Sequence, residues 1–316
     1  MSRVAFLGTP EFAVPSLNAL IQSPQHEVVC LITQPDRKAG RGQQLTPPPT
    51  KVLAQKHGVP VFQFQRLRKS SEALALLGEL SPDLCVVVAF GQILEPEFFD
   101  LPPYGTLNVH ASLLPAYRGA APIVHAILNG ESESGVTIMK IDAGMDTGDV
   151  LSKQSVKIPE NMTAGELEAL LAVRGADLLL RSMDGYLKGS IEPVPQNHDL
   201  ATYAPRIDKG IAQLDWDLDA SRLHNTVRAM NPWPGATFKW QGQQVKLWRT
   251  RLAAQDPSRA LRQPGSVIEI RKDVFLVECG NGTAIEMEEL QLPNRKRVSA
   301  KDFLNGCQLK LGDVLT

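Results

Sequence analysis

Alternating strand and helix signals through the first 190 residues predict an α/β fold, a Rossmann-like, mostly parallel sheet with helices on both faces. Residues 83–89 (DLCVVVA) are a nearly unbroken apolar run rich in β-branched side chains, the pattern of a strand covered on both sides. Amphipathic segments recur between such runs, which is the βαβ rhythm of a parallel sheet. Beyond residue 206 the pattern changes to short β segments separated by turns. A small C-terminal β-barrel is expected there, with an OB-like (oligonucleotide-binding) barrel as one option.

The elements follow in order. Residues 3–8 form a first apolar strand, and Thr9-Pro10-Glu11 starts a helix over 12–21. Residues 27–33 (EVVCLIT), 83–89, 106–110 and 135–141 supply further buried strands, with helices at 51–57, 70–80 and 122–128 between them. A strand is also expected over 150–158, and residues 166–187 give a long amphipathic helix that closes a first domain at 1–189. Residues 190–206, with two prolines and no periodicity, read as a linker. The C-terminal domain, 207–316, opens with a helix at 221–230. Five short strands follow, at 236–240, 244–250, 266–270, 274–279 and 283–290, with Gly-Asn-Gly at 280–282 as a hairpin turn.

Composition narrows the function classes. The 316 residues are 43% hydrophobic and 21% charged, an ordinary globular balance. No apolar run approaches the roughly 20 residues that span a bilayer, and the N-terminus lacks the apolar core of a signal peptide, so a cytoplasmic location is expected. Cys30, Cys85, Cys279 and Cys307 are scattered and form no CxxC pair, which predicts packed thiols and no metal site. The net charge of −1 argues against a dedicated nucleic-acid binder, yet it is uneven. Residues 1–206 hold 17 Lys/Arg and 21 Asp/Glu, a net −4, whereas the remainder hold 16 and 13, a net +3. No heptad or broad apolar stripe asks for a partner, so a monomer is expected.

The motifs point to chemistry at one strand end. Gly8-Thr-Pro-Glu-Phe12 is a tight strand-to-helix turn without the GxGxxG of a dinucleotide site, and neither a P-loop nor a GxSxG nucleophile elbow occurs. Asn108 and His110 are two residues apart where a parallel strand should end, so both leave the same face toward the edge where α/β sheets bind ligands. An amide and an imidazole aimed together suit a developing oxyanion, and a carboxylate to orient the imidazole is then expected. The segment Asp142-Ala-Gly-Met-Asp146-Thr-Gly-Asp149 offers three, of which Asp146 is mid-loop. Residues 34–49 (QPDRKAGRGQQLTPPP) form a long insertion whose Arg37, Lys38 and Arg41 suit phosphate contact by a flexible loop. Arg271, Lys272 and the NRKR run at 294–297 fall in hairpin loops of the basic tail.

Asn108-Val-His110-Ala-Ser112-Leu113-Leu114-Pro115, Tyr117-Arg-Gly-Ala-Ala-Pro122 and the Asp142–Asp149 segment together resemble the folate-dependent formyltransferase family. Gly8-Thr-Pro-Glu-Phe12, Gln34-Pro-Asp-Arg37, Val87-Val-Ala-Phe-Gly91 and Asn231-Pro-Trp-Pro234 look like its branch acting on methionyl-tRNA. The resemblance implies Asn108, His110 and Asp146 as a catalytic trio and Ser112, Leu113, Leu114 and Pro115 as a folate-binding segment, with Leu113 and Leu114 against the pterin. It also assigns the insertion loop (Arg37, Lys38, Arg41) and the C-terminal barrel to tRNA. The implied substrates are 10-formyltetrahydrofolate, as formyl donor, and initiator methionyl-tRNA, with no metal and no membrane. Ala116-Tyr117 departs from the family, where Arg-Trp is frequent. Formylation of a purine precursor or an amino sugar nucleotide is the rival within the family, and a noncatalytic RNA-binding protein the rival outside it.

Overall fold

The computed structural model of the chain describes residues 1–39, 42–254 and 261–316. It divides into two units. The first comprises Met1–Pro122, Ser134–Val156 and Glu168–Ala204, and the second Ile123–Glu133, Lys157–Leu167 and Pro205–Thr316.

Strand β1 (Ser2–Gly8) is buried from Val4 onward, as a strand covered on both faces must be. A 3-10 turn at Glu11–Ala13 leads into helix α1 (Val14–Gln22), so the first helix starts later than its apolar pattern. After β2 (His26–Thr33), the insertion folds into a hairpin of β3 (Arg37–Ala39) and β4 (Gln44–Thr46). Helix α2 (Pro49–Lys56) begins on the last proline of the insertion, because proline suits a first helical turn that leaves its N–H groups unpaired. Then come β5 (Val61–Gln63), α3 (Ser71–Leu80), β6 (Leu84–Val88), α4 (Pro96–Phe99), β7 (Thr106–His110) and α5 (Pro122–Leu128). The series ends with β8 (Glu133–Lys140), β9 (Val150–Lys157) and the long α6 (Ala164–Leu187).

The seven strands lie in the order β5-β2-β1-β6-β7-β8-β9. Pairings from β5 to β7 are parallel, and β8 runs antiparallel to β7. Leu7, Ile32, Leu77, Val87, Phe90 and Phe98 belong to one buried cluster on this sheet. Each such side chain contributes about 1.5–3 kcal/mol by leaving water. Cys30 and Cys85 flank Ala5 in the register, and burial pushes the Cys30 thiol up to about 12 and that of Cys85 higher still. They are packing residues, and not reactive thiols.

Residues 190–204, where the sequence predicts a linker, are hydrogen-bonded along the first unit. Val194 exchanges both backbone bonds with Val150, at 2.8 and 2.9 Å. Arg118 N–H donates to Thr202 O at 2.8 Å, Ala204 N–H to Arg118 O at 2.7 Å, and Ala121 N–H to Ala204 O at 3.1 Å.

In the second unit, α7 (Ala220–Ala229) is capped by Asp219, whose carboxylate accepts from Arg222 N–H at 2.8 Å. β10 (Ala236–Trp240), β11 (Gln243–Leu252), β12 (Val267–Ile270), β13 (Phe275–Glu278) and β14 (Ala284–Gln291) pair antiparallel along the path β10-β11-β14-β13-β12. β15 (Val298–Ser299) adds to β14 and precedes α8 (Ala300–Gly306). The Gly-Asn-Gly turn joins β13 to β14 with Asn281 at φ 59°, a left-handed position that asparagine tolerates. The fold is thus a mostly parallel α/β sheet with helices, plus a C-terminal antiparallel β domain.

Candidate active site

β7 ends at the carboxyl edge shared with its parallel neighbour β6 and, beyond it, β1, and it brings Asn108 and His110 there. His110 is 6% exposed, while the Asn108 side chain is half-buried and makes no hydrogen bond among the described residues. The His110 Nε2–H donates to Tyr117 O at 3.0 Å, and Nδ1 stands 3.6 Å from Asp146 Oδ1. Of the three carboxylates in the 142–149 loop, Asp146 is the one that turns in to the histidine. Asp142 instead accepts from Thr147 Oγ1–H at 2.7 Å and from Gly144 N–H within its own loop.

The loop's shape is built from local requirements. Asp146 has φ 52°, and a Cβ on Gly148 would lie 2.0 Å from Lys140 O, so this close approach admits glycine alone. Asp146 Oδ2 accepts from Gly119 N–H at 2.8 Å. The segment after the predicted folate stretch therefore grips both partners: the Tyr117 carbonyl holds the imidazole and the Gly119 amide holds the carboxylate.

Two residues that the sequence reading passed over complete this arrangement. Arg118, 2% exposed, donates from its guanidinium to Gln196 Oε1 at 2.7 and 3.3 Å and to His198 Nδ1 at 3.1 Å. Gln196 Nε2 donates in turn to the carbonyls of Asp146 (3.0 Å) and Gly148 (2.7 Å). Arg118 carried one signal in the sequence, being the sole Lys, Arg, Asp or Glu between residues 111 and 130. Gln196, in a proline-rich stretch, carried none.

Ser112–Pro115 is pinned from three sides. Ser112 Oγ–H donates to Ala116 O at 2.6 Å, Thr137 Oγ1–H donates to Ser112 O at 2.7 Å, and Leu114 N–H donates to Thr137 Oγ1 at 3.1 Å. Lys153 Nζ donates to Leu114 O, and burial lowers that ammonium below its ordinary range. The Leu114 side chain, 1% exposed, is committed to a core with Met139 and Val150. Leu113 stays half-buried over Gly135, where a Cβ would lie 2.4 Å from its Cδ2. Pro115 is half-buried.

Arg37 and Lys38 stand exposed on β3, and Arg41 lies outside the described residues. The base of the hairpin is fixed: Lys51 Nζ meets both Asp36 oxygens at 2.8 and 2.9 Å, holding that carboxyl below the usual range, and Gln63 Nε2–H donates to Gln34 O at 2.8 Å. In the second unit much of the basic surplus is matched by carboxylates. Arg251 pairs with Glu288 at 2.7 Å, Arg271 with Glu269 at 2.7 Å, and Arg297 with Glu289 at 3.7 Å. Arg297 also stacks 3.7 Å over the Trp248 ring. A separate cavity of about 410 Å³ on the first unit, lined by Leu67, Ser70, Ile93, Glu95 and Phe98 among others, contains none of the site residues expected from sequence. Among the described residues no group of three or more His, Cys, Asp or Glu gathers as for a metal ion.

Comparison with known proteins identifies the family. Residues 2–183 match the formyl transferase family and residues 206–308 the formyl transferase C-terminal domain. A methionyl-tRNA formyltransferase of Synechococcus sp. is 49% identical over 316 residues, covering 98% of this chain and 97% of the relative. That of Desulforamulus reducens is 46% identical, covering 99% and 97%. Among solved structures, an N-formyltransferase from Helicobacter canadensis, crystallised with folinic acid and dTDP-3-aminofucose, superposes with a TM-score of 0.67 at 22% identity, covering 92% of this chain and 100% of that one. WlaRD, a sugar 3N-formyl transferase, gives 0.66 at 20% identity, covering 94% and 99%, and these two likenesses establish the fold. Matched along nearly its whole length, the chain belongs to the formyl transferase family and, within it, to the methionyl-tRNA formyltransferases.

Proposed function

We propose that the protein transfers the formyl group of 10-formyltetrahydrofolate to the α-amino group of methionyl-initiator tRNA, giving N-formylmethionyl-tRNA and tetrahydrofolate for translation initiation. The observation that carries the chemistry is the His110–Asp146 pair at the strand edge beside the uncommitted amide of Asn108. The amine attacks the formyl carbon, a C–N bond forms, and the carbonyl oxygen gains charge. Asn108 donates to that oxygen without giving up a partner. His110 joins it by exchanging the Nε2–H bond now made to Tyr117 O. As the oxyanion collapses, the bond to the folate nitrogen breaks. The proton lost by the amine passes, through water or the imidazole, to that leaving nitrogen, with Asp146 holding the ring. Joining both substrates in one site supplies much of the rate.

Ser112–Pro115 is the wall for the folate, with the half-exposed Leu113 as its apolar contact. Arg37 and Lys38 on the hairpin, with Arg41 of the same insertion loop, contact the tRNA backbone. The C-terminal domain reads as an OB-like barrel contributing to tRNA. In support, residues 312–316 bond to both ends of its strand path: Val267 N–H donates to Asp313 O at 2.8 Å, and Thr316 N–H donates to Lys239 O at 2.9 Å. The protein acts as a monomer in the cytoplasm; no helix among the described residues is long and apolar enough to cross a membrane. The deciding experiment supplies 10-formyltetrahydrofolate with methionyl-tRNA and measures formylmethionine. Formylation of a nucleotide-linked amine, with none of methionyl-tRNA, rejects the reading.

A further inference from the structure

The guanidinium of Arg118 is buried, and among the described residues its partners are neutral: an amide oxygen of Gln196 and an imidazole nitrogen of His198. Burying a permanent charge without a carboxylate beside it is costly, so a charge kept in this way calls for a role. Its hydrogen bonds point to one. Both of its bonds to Gln196 go to the oxygen, which fixes the amide flip and aims the NH₂ at the 142–149 loop. That NH₂ spans the carbonyls of Asp146 and Gly148 on either side of Thr147. Asp146 is held at φ 52°, a left-handed conformation that an aspartate leaves readily unless its peptide groups are tied down. The same arginine is anchored by its backbone to Thr202 and Ala204, and its two neighbours supply the carbonyl that His110 binds and the amide that Asp146 binds.

We infer that Arg118 and Gln196 are a positioning pair that sets the distance and angle of Asp146 to His110, and that the rate of formyl transfer depends on them although neither touches a substrate. The inference rests on the proposed function for its kinetic consequence, and on geometry alone for its structural one. Arg118 polarises the Gln196 amide, the amide NH₂ clamps two loop carbonyls, and the clamp keeps Asp146 turned in. Misplacing a catalytic group by about 1 Å costs on the order of 100-fold in rate.

Gln196→Glu separates this role from mere support. The carboxylate keeps an acceptor for Arg118, and so keeps the buried charge paired, but it removes both donors to the loop. We expect kcat to fall about 10- to 100-fold with KM for folate and tRNA within about threefold and the unfolding midpoint little changed. In an Asp146→Asn background the same change should cost less than about threefold further, since the group it positions is already gone. Arg118→Lys, which keeps charge but not the fork, should give a smaller loss confined to kcat. The structural readout is the Gly119 amide proton, donated to Asp146: Gln196→Glu should lose its protection from hydrogen exchange while the Ala121 amide, held by Ala204, keeps its own. Full kcat in folded Gln196→Glu, equal losses in both backgrounds, or unchanged Gly119 protection overturns the inference. A wild-type protein inactive on methionyl-tRNA rejects the functional reading instead, and the exchange measurement still decides the positioning role.

Discussion

Each nitrogen of His110 faces an oxygen acceptor, Tyr117 O on one side and Asp146 on the other, so the ring is oriented from both ends before substrate arrives. Its replacement therefore separates chemistry from folding. His110→Ala should lower formyl transfer by about 10²–10⁴-fold, the usual worth of a positioned acid or base. Stability should fall by only about 1–3 kcal/mol, chiefly from loss of the hydrogen bond that the imidazole donates to the Tyr117 carbonyl. Formylation rates read beside thermal unfolding check this, and near-normal turnover removes His110 from the mechanism. Asn108 and His110 were legible in the sequence because a strand end exposes alternate residues on one face, a rule that needs no tertiary knowledge. Asp146 was one of three carboxylates by pattern, singled out by its mid-loop place and by the family resemblance, whereas the Gly119 amide that holds it left no trace in the sequence. Gln196 was not legible at all, since it meets Arg118 across 78 residues and reaches the loop through side-chain bonds that leave no periodic trace.

The parallel strands were readable as elements because burial on both faces imposes long apolar runs. β5 was not, being three half-buried residues whose place comes from pairing with β2. The hairpin of β3 and β4 hid in an insertion whose glycines and prolines signal loop, and residues 190–204 hid because isolated bridges replace a repeating ladder. His224 donates Nε2–H to Glu160 O at 3.0 Å, which leaves Nδ1 to accept from Thr250 Oγ1–H at 2.9 Å. Burial first, and then Arg228, push this imidazole below its ordinary 6.5 against the opposing pull of Glu160. The folded domain thus resists the proton that the unfolded chain accepts. Stability from this residue is complete above about pH 6.5 and is lost as pH falls through that value toward the lower folded one. Between about pH 7.5 and about pH 5.5, wild type should lose more thermal stability than His224→Gln, whose amide can make the same two bonds without titrating. His26 shifts in the same direction and cancels in that difference. Equal slopes for the two proteins refute the assignment.

At the scale of the whole molecule, a net charge of −1 places any attraction for a polyanion in local patches. Exposed ion pairs claim Arg251, Arg271 and Arg297, whereas Lys38 on the hairpin makes no ion pair among the described residues. Affinity for methionyl-tRNA should therefore fall linearly on a log–log plot against salt. Arg37→Ala with Lys38→Ala should flatten the slope by about 0.7–0.9 for each phosphate contact removed, and leave folate binding unchanged. Filter binding across a salt series measures it, and an unaltered slope argues against the hairpin. One architectural feature bears on recombination between relatives. A crossover placed just after α6, where helix gives way to irregular chain, would inherit Asn108, His110 and Asp146 from one parent. Gln196, Thr202 and Ala204, which hold their surroundings in register, would come from the other. On the proposed assignment the heritable unit of catalysis runs on to Ala204, so a chimera joined upstream of it should be active only when its strap matches its loop.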